Sequence, residues 1–561
     1  MGIPSYFSYI IKNHSNIINN HQHVQGSGVL FSSLYMDCNS ILYDCYNKIM
    51  NDTPPTPPPQ NENIHIFYDN IIKNVIFAIE QYILFIQPTK FVYIAFDGVA
   101  PFAKMEQQKT RRYKHEFMST LFKENDDKTP QEYSSVMFTP GTLFMDLLCE
   151  KIKKHFFSFS LNFSFQCVLS LSDEHGEGEH KLFSHMRQNP CSKDNVALYG
   201  LDSDLIMLSL LHFDLFCNVY IFREAQEFIK SSIFDICKHN YTNKGTNSPP
   251  HTPSPDNNEP YFLDVKELSS SVIYEMNCKH THSNQICDYI FMCFLLGNDF
   301  LPHVPSLNIR THGMQVLLDV YRMHIGNFEE RYLTCFIDEQ KSICWKWVNL
   351  FLRQISVIEQ TLLDNEFRFR QKYNHFTYKD TTKEDILNAV NNIPIIYRED
   401  ENYISTQQVG WEKRYYKILF DENTTIKNIC MNYIEGLEWT FAYYTQKCPD
   451  WKWKYHHHYA PLFVDLINYV PFFQMIFINT CHSPFSKYVQ LSYVLPLSQH
   501  HQLPLKIQQY LHKPENIVFF PSTYKFKHAF KRYFWEAHCV LPNVPFETLT
   551  KWENDFKMIM L

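Results

Sequence analysis

The 561-residue sequence predicts an α/β protein built on an open, mostly parallel, doubly wound sheet flanked by helices, with a second helical and mixed region packed against it. Three observations lead there. Between Leu34 and about Pro305, short apolar runs alternate with helical stretches. Each apolar run ends in an acid or a polar turn, as buried parallel strands do at their carboxyl ends. The chain also exceeds the ~250–300 residues that one core usually serves, so a further region is expected beyond the sheet.

The elements follow in order. LYMD (Leu34–Asp37) reads as the first buried strand, and Ile71–Ile86 (IIKNVIFAIEQYILFI) as a helix before the second. FVYIAFD (Phe91–Asp97) is that second strand, and a basic helix follows it. CVLSLS (Cys167–Ser172) and VALYGLD (Val196–Asp202) are two more strands, with a helix beginning near His180 between them. Two stretches rich in Pro, Asn, Thr and Ser, Asn51–Asn63 and His239–Pro260, read as surface insertions that bury too little to offset ordering entropy. The expected division is a catalytic region over 1–310, a mostly helical connecting segment over 311–400, and an aromatic-rich region over 401–561 that closes the site. No internal repeat stands out.

Composition narrows the function classes. Hydrophobic residues at 45% and charged residues at 20% describe a globular chain. The net charge of −8, taken alone, argues against a general basic coat for nucleic acid. No apolar run approaches the ~18–20 residues of a membrane helix, so no membrane is expected. The 16 cysteines show no paired CxxC spacing, and no secretory leader is evident. Both point to reduced, intracellular thiols, with cytoplasm favoured over nucleus, or the host cytoplasm if the chain is viral. Cys278, His280, His282 and Cys287 fit no common zinc spacing, and His456–His458 read as packing and surface residues. No GxGxxG or Walker sequence supports a nucleotide cofactor.

Acids at strand ends carry the chemistry. Asp37 ends LYMD, Asp97 precedes Gly98, Glu177 and Glu179 sit in HGEGEHK, Asp202 and Asp204 in YGLDSDLIM, and Asp299 in FLLGNDFLPH. The pairs Glu177/Glu179 and Asp202/Asp204 are spaced i, i+2. On a helix such residues point about 200° apart; in turn backbone they can share a ligand. Gly176 and Gly178 permit that backbone. Seven carboxylates brought together would raise one another's pKa, and a pair of divalent cations resolves the repulsion. Taken singly, each acid could instead be an ordinary helix cap.

After Asp97, Lys104, Gln108, Arg111 and Arg112 fall at i, i+4, i+7 and i+8, on one helical face. Guanidinium forks match phosphate oxygens in bidentate fashion. A charge run is more often just solvated, but this one directly follows a candidate metal acid, which favours phosphate.

These residues resemble the XRN family of 5′-to-3′ exoribonucleases, a branch of the flap-endonuclease and PIN-like nucleases. MGIPSYFSYI, LYMDCNSIL, FDGVAPFAKMEQQKTRR, TPGTLFM, HGEGEHK, YGLDSDLIML and FLLGNDFLPH follow in the family's order, and Tyr433–Leu466 is similar to its second conserved region. The resemblance implies that Asp37, Asp97, Glu177, Glu179, Asp202, Asp204 and Asp299 bind two Mg2+ ions, with Mn2+ able to substitute. It implies that Lys104, Gln108, Arg111 and Arg112 hold the 5′-monophosphate of a single-stranded RNA. Trp453, with Trp451 as second choice, would stack on the first base together with Tyr43, which stands where the family has His. The implied activity is processive 5′-to-3′ hydrolysis to nucleoside monophosphates by a monomer of minimal form, without modules after the second region.

Ser40 replaces a family Gly, Phe102 and Lys109 replace Arg, and Glu106 replaces Asn, so weaker phosphate affinity is expected. A structure-specific DNA nuclease of the same superfamily and a non-catalytic RNA-binding scaffold are the alternatives.

Overall fold

The computed structural model describes residues 2–52, 62–123, 135–160, 165–200, 202–225, 230, 232–233, 236–237, 260–337, 340–373 and 381–560. The cores of both Pro-rich stretches, 53–61 and 239–259, lie outside the described residues. The chain forms two compact units that interleave in sequence. The first comprises Met1–Val99, Glu132–Ile290 and Tyr444–Lys447; the second comprises Ala100–Gln131, Phe291–Tyr443 and Cys448–Leu561.

The first unit is built on a seven-stranded sheet of order β1-β7-β6-β5-β2-β3-β4. Its strands are β1 (Ile18–Asn20), β2 (Ser33–Asp37), β3 (Phe91–Ala95), β4 (Gln166–Ser170), β5 (Cys191–Tyr199), β6 (Phe216–Arg223) and β7 (Tyr261–Asp264). From β6 through β5, β2 and β3 to β4 every pairing is parallel; β7 joins β6, and β1 joins β7, antiparallel. The four expected strands are therefore β2–β5, and the mostly parallel sheet is as the sequence predicts.

Both faces are covered, which explains why the strand sequences read as apolar runs rather than alternations. Leu34, Met36, Val92 and Ile94 point into a core shared with the helices Asn39–Asp52, Glu62–Ile86 and Leu143–Ser160. Their neighbours Tyr35 and Tyr93 turn to the opposite face, where both rings meet His185 of the Gly178–Gln188 helix. The expected 71–86 helix starts earlier, at Glu62.

The second unit is mainly helical. Its longest helices are Phe102–Lys123, Trp345–Gln371 and Ile426–Thr445, the last ending in the short stretch assigned to the first unit. Two hairpins interrupt it: β8 (Thr334–Ile337) with β9 (Gln340–Ile343), and β10 (Lys525–Lys527) with β11 (His538–Val540). No helix among the described residues is long and apolar enough to cross a membrane.

Candidate active site

Parallel pairing places acids of the first unit side by side. Asp37 is the last residue of β2 and pairs with Ala95 of β3, two residues before Asp97. On its other side, β2 pairs with β5, which ends at Tyr199, three residues before Asp202 in sequence. β4 flanks β3 and leads to Glu177. Ligand sites of open α/β sheets form at these carboxyl ends.

Glu177 and Asp202 occupy the N-cap positions of the Gly178–Gln188 and Ser203–His212 helices in extended backbone, yet neither side chain accepts a capping hydrogen bond. Asp264, at the same position of the Val265–Met276 helix, does cap, accepting from the Glu267 N–H at 3.0 Å. Glu179 and Asp204 follow in the first helical turns, and both are buried.

Asn39, not singled out from sequence, organises two of the acids. Its Nδ2 donates to Asp37 Oδ1 at 3.0 Å, and its Oδ1 accepts from the Asp97 N–H at 3.1 Å. The Gly178 N–H donates to Asp97 Oδ1 at 2.7 Å. A Cβ at Gly178 would lie 2.5 Å from Asp37 Oδ1, so only glycine lets this helix start so close. Gly98 is equally constrained, since a Cβ there would meet the Glu174 carbonyl oxygen at 1.6 Å. Reciprocal backbone bonds, Gly98 N–H to the Gly176 carbonyl (2.9 Å) and Gly176 N–H to the Val99 carbonyl (2.8 Å), lock the two glycine turns together.

The acids interact electrostatically. Burial pushes the Asp37 carboxyl up to about 7, and Asp97, Asp202 and Glu177 add to the shift. One cation sits among them: Lys181 donates to the carbonyl oxygens of Phe96 (2.8 Å) and Leu171 (2.7 Å), and burial brings its ammonium down to about 8. Asp204 accepts from the Tyr444 hydroxyl. Lys181 lies in the HGEGEHK motif and Asn39 in LYMDCNS, so proximity to the acids was the available signal; Tyr444 offered none.

As they stand, no three or more His, Cys, Asp or Glu side chains among the described residues are gathered closely enough to hold a metal ion. That holds for the Cys278, His280, His282 and Cys287 set as well. The chemistry of the donor set nevertheless suits hard divalent cations, being all carboxylate, with the Asp37 carboxyl raised by burial and further by its acidic neighbours.

The remaining predicted residues, Tyr43 apart, belong to the second unit. Lys104 and Gln107 of the Phe102–Lys123 helix donate to the two oxygens of Asp299, at 2.7 and 2.5 Å. The Asp299 carboxyl is buried, which alone would raise it, but the Lys104 ammonium holds it down at about 2. The seventh acid is thus ion-paired with a predicted phosphate ligand. Gln108 Oε1 accepts from Gln490 Nε2 at 3.4 Å; Arg111 is exposed and Arg112 half-buried.

Trp453 is only 9% exposed and stacks on Trp439 with centroids 5.2 Å apart. Gly436 makes room for it, since a Cβ there would lie 2.9 Å from the Trp453 ring. Trp451 is half-buried. Tyr43, in the first unit, is exposed and packs edge-on against Phe138. Glu106 does not simply subtract from the basic helix, because Lys454 donates to it.

Comparison with known proteins agrees with this assembly of parts. Residues 1–225 match the family model described as the XRN 5′-3′ exonuclease N-terminus, and residues 279–402 and 396–558 match the Xrn1 helical domain. The chain is 25% identical to 5′-3′ exoribonuclease 1 of Schizosaccharomyces pombe, over 97% of this chain and 47% of that protein. It is 25% identical to 5′-3′ exoribonuclease 2 of Arabidopsis thaliana, over 97% of this chain and 66% of that protein. Identity to human 5′-3′ exoribonuclease 1 is also 25%, over 97% of this chain and 33% of that one. The chain therefore spans about half to two thirds of the first two relatives. A solved structure of the catalytic core of Rad2 with a DNA substrate matches 72% of this chain and 100% of its own, at 11% identity and a TM-score of 0.28, too loosely to bear on fold or function. With both family regions matched along most of its length and in order, the chain belongs to the XRN 5′-3′ exonuclease family.

Proposed function

We propose that this chain is a processive 5′-to-3′ exoribonuclease that hydrolyses 5′-monophosphorylated single-stranded RNA to nucleoside monophosphates, acting as a monomer with two divalent cations, Mg2+ or in its place Mn2+. The observation that carries the reading is the set of strand-end acids: Glu177 and Asp202 occupy cap positions without capping, and with Asp97 they add to burial in raising the Asp37 carboxyl to about 7. A carboxylate so destabilised by burial beside other acids suits cation binding better than a purely structural role.

Asp37, Asp97, Glu177, Glu179, Asp202 and Asp204 of the first unit would hold the cations, and Asp299 is the seventh acid that the family resemblance implies. Bound there, two divalent ions would supply Lewis-acid stabilisation of a phosphate and lower the pKa of water. The chain's own groups do the rest. Asn39 and the Gly178 N–H fix the carboxylates of Asp37 and Asp97, so little reorganisation is needed at reaction. Lys181 keeps a buried positive charge beside them. Lys104, Gln108, Arg111 and Arg112 present ammonium, amide and guanidinium donors to a 5′-monophosphate, and the Trp453 and Tyr43 rings offer stacking faces for a base.

The test replaces Asp202 and Asp204 with Ala and follows RNA and DNA of one sequence, each with a 5′-phosphate, in Mg2+. The variant should still bind RNA and melt as a folded protein while turnover drops by roughly 10³-fold or more, as loss of a metal-held transition state implies. Turnover retained in the variant would refute the acid assignment, and faster cleavage of the DNA would make the chain a DNA nuclease instead. Wild-type binding without cleavage would favour the scaffold alternative.

A further inference from the structure

We propose that Glu106 and Lys454 act as a ruler, fixing the spacing between the phosphate face of the Phe102–Lys123 helix and the ring of Trp453. The 5′-phosphate and the first base of an RNA end are then read together. The proposal deepens the exoribonuclease reading and rests on it.

The helix and the Trp451–Tyr455 strip are tied at successive points. The Phe102 N–H donates to the Trp451 carbonyl at 2.9 Å, joining the two backbones. One turn on, the Lys454 ammonium donates to Glu106 while lying 4.9 Å over the Phe102 ring. Within the strip the side chains alternate. Lys452 sits 4.6 Å over Phe485 and Lys454 over Phe102, whereas Trp453 between them goes to Trp439. Pinning both lysines therefore sets where the Trp453 ring stands. On the helix, Glu106 lies about 200° around from Lys104, so it grips the strip without occupying the Lys104 face.

The Lys487–Val494 helix buttresses the arrangement. Its Tyr493 hydroxyl donates to the same Glu106 oxygen as Lys454, and Lys109 lies 4.5 Å over the Tyr493 ring. Its fully buried Gln490 accepts from the Ala100 N–H at 2.8 Å and donates to Gln108 Oε1 at 3.4 Å. That contact engages the carbonyl oxygen of Gln108 and not its amide N–H donors. Glu106 stands where the family resemblance leads one to expect Asn, whose side chain is shorter and uncharged. A partly exposed ion pair such as this one adds little net stability, so its merit here is geometric.

The test uses the full chain with Glu106→Gln, Lys454→Met, the double variant and the charge swap Glu106→Lys with Lys454→Glu. RNAs carry 2-aminopurine as first base and end in 5′-phosphate or 5′-hydroxyl. Fluorescence in EDTA reads stacking without turnover; steady-state rates in Mg2+ give KM and kcat. In the wild type the 5′-phosphate deepens the quenching. Each single variant should lose most of that gain and raise KM for 5′-phosphorylated RNA by roughly tenfold, with kcat and the 5′-hydroxyl KM nearly unchanged, as expected when a bound group is misplaced. The charge swap should recover a substantial part, and it decides the matter if a single variant fails to fold. Variants that keep the phosphate-dependent quenching and KM overturn the ruler. So does an equal loss on both RNA ends, or a swap without recovery. A wild type that stacks the base but degrades no RNA refutes the exoribonuclease reading instead, and the fluorescence still judges the ruler.

Discussion

Asp37 links sequence to chemistry most directly at the scale of the residue. Its carboxyl is pushed up to about 7 by burial and by neighbouring acids, so in the cation-free protein the fold prefers it protonated. A folded value above the unfolded one of ~3.9 contributes stability at low pH that is lost as pH rises through about 7. Asp37→Asn should therefore raise the unfolding free energy of the cation-free protein at pH 8 by roughly 1–2 kcal/mol, allowing for solvent screening, while abolishing hydrolysis. Denaturant titration in EDTA checks the first outcome and an RNA decay assay the second. Gly178→Ala should act in the opposite sense, since its Cβ would meet Asp37 Oδ1 at 2.5 Å; a drop in both stability and turnover is expected. The acids were legible in the sequence because each ends an apolar run. Their hydrogen-bonding partners were not, because Tyr444 reaches Asp204 across 240 residues, a separation that no local pattern encodes.

At the scale of the element, β2–β5 could be read because strands buried on both faces are continuously apolar, a strong local signal. β1, β6 and β7 were not identified. β1 and β7 are three and four residues long and are paired antiparallel at one side of the sheet, which leaves little pattern to detect. The basic helix was legible as a face, but its internal pairing was not: spacing placed Lys104 among phosphate ligands without revealing that Asp299 and Gln107 meet there. Both partners of that ion pair are largely buried, so Asp299→Ala should destabilise the protein by about 3 kcal/mol through the stranded Lys104 ammonium. The double change Lys104→Met with Asp299→Asn should cost less than Asp299→Ala alone. Denaturation midpoints of the three proteins decide this, and a double variant worse than the single one contradicts the pairing.

For the whole molecule, the charge of −8 first counted against nucleic acid, yet it is spread unevenly between the two units' candidate sites. Acids gather at the sheet of the first unit, and phosphate-matching cations lie on one helix of the second. A linear reading divides the chain near residues 310 and 400, whereas the compact units exchange segments; contacts between distant stretches define them, and sequence pattern does not. The second unit also predicts acid lability. Burial lowers His303 and His538 well below the ordinary imidazole value and brings His457, His458 and His500 down to about 4. These rings are neutral in the fold and take up protons on unfolding, so stability should fall steeply as pH drops from about 6.5 towards 4. A melting temperature that stays level across that window contradicts their burial. The proposed activity requires a 5′-monophosphate to begin hydrolysis. The most direct measurement is the initial rate in Mg2+ on one RNA sequence bearing a 5′-monophosphate, a 5′-triphosphate or a 5′-hydroxyl. The monophosphate should be degraded at least about tenfold faster than either of the others, in keeping with transition-state use of remote binding energy; equal rates on all three would rule out a 5′-phosphate requirement.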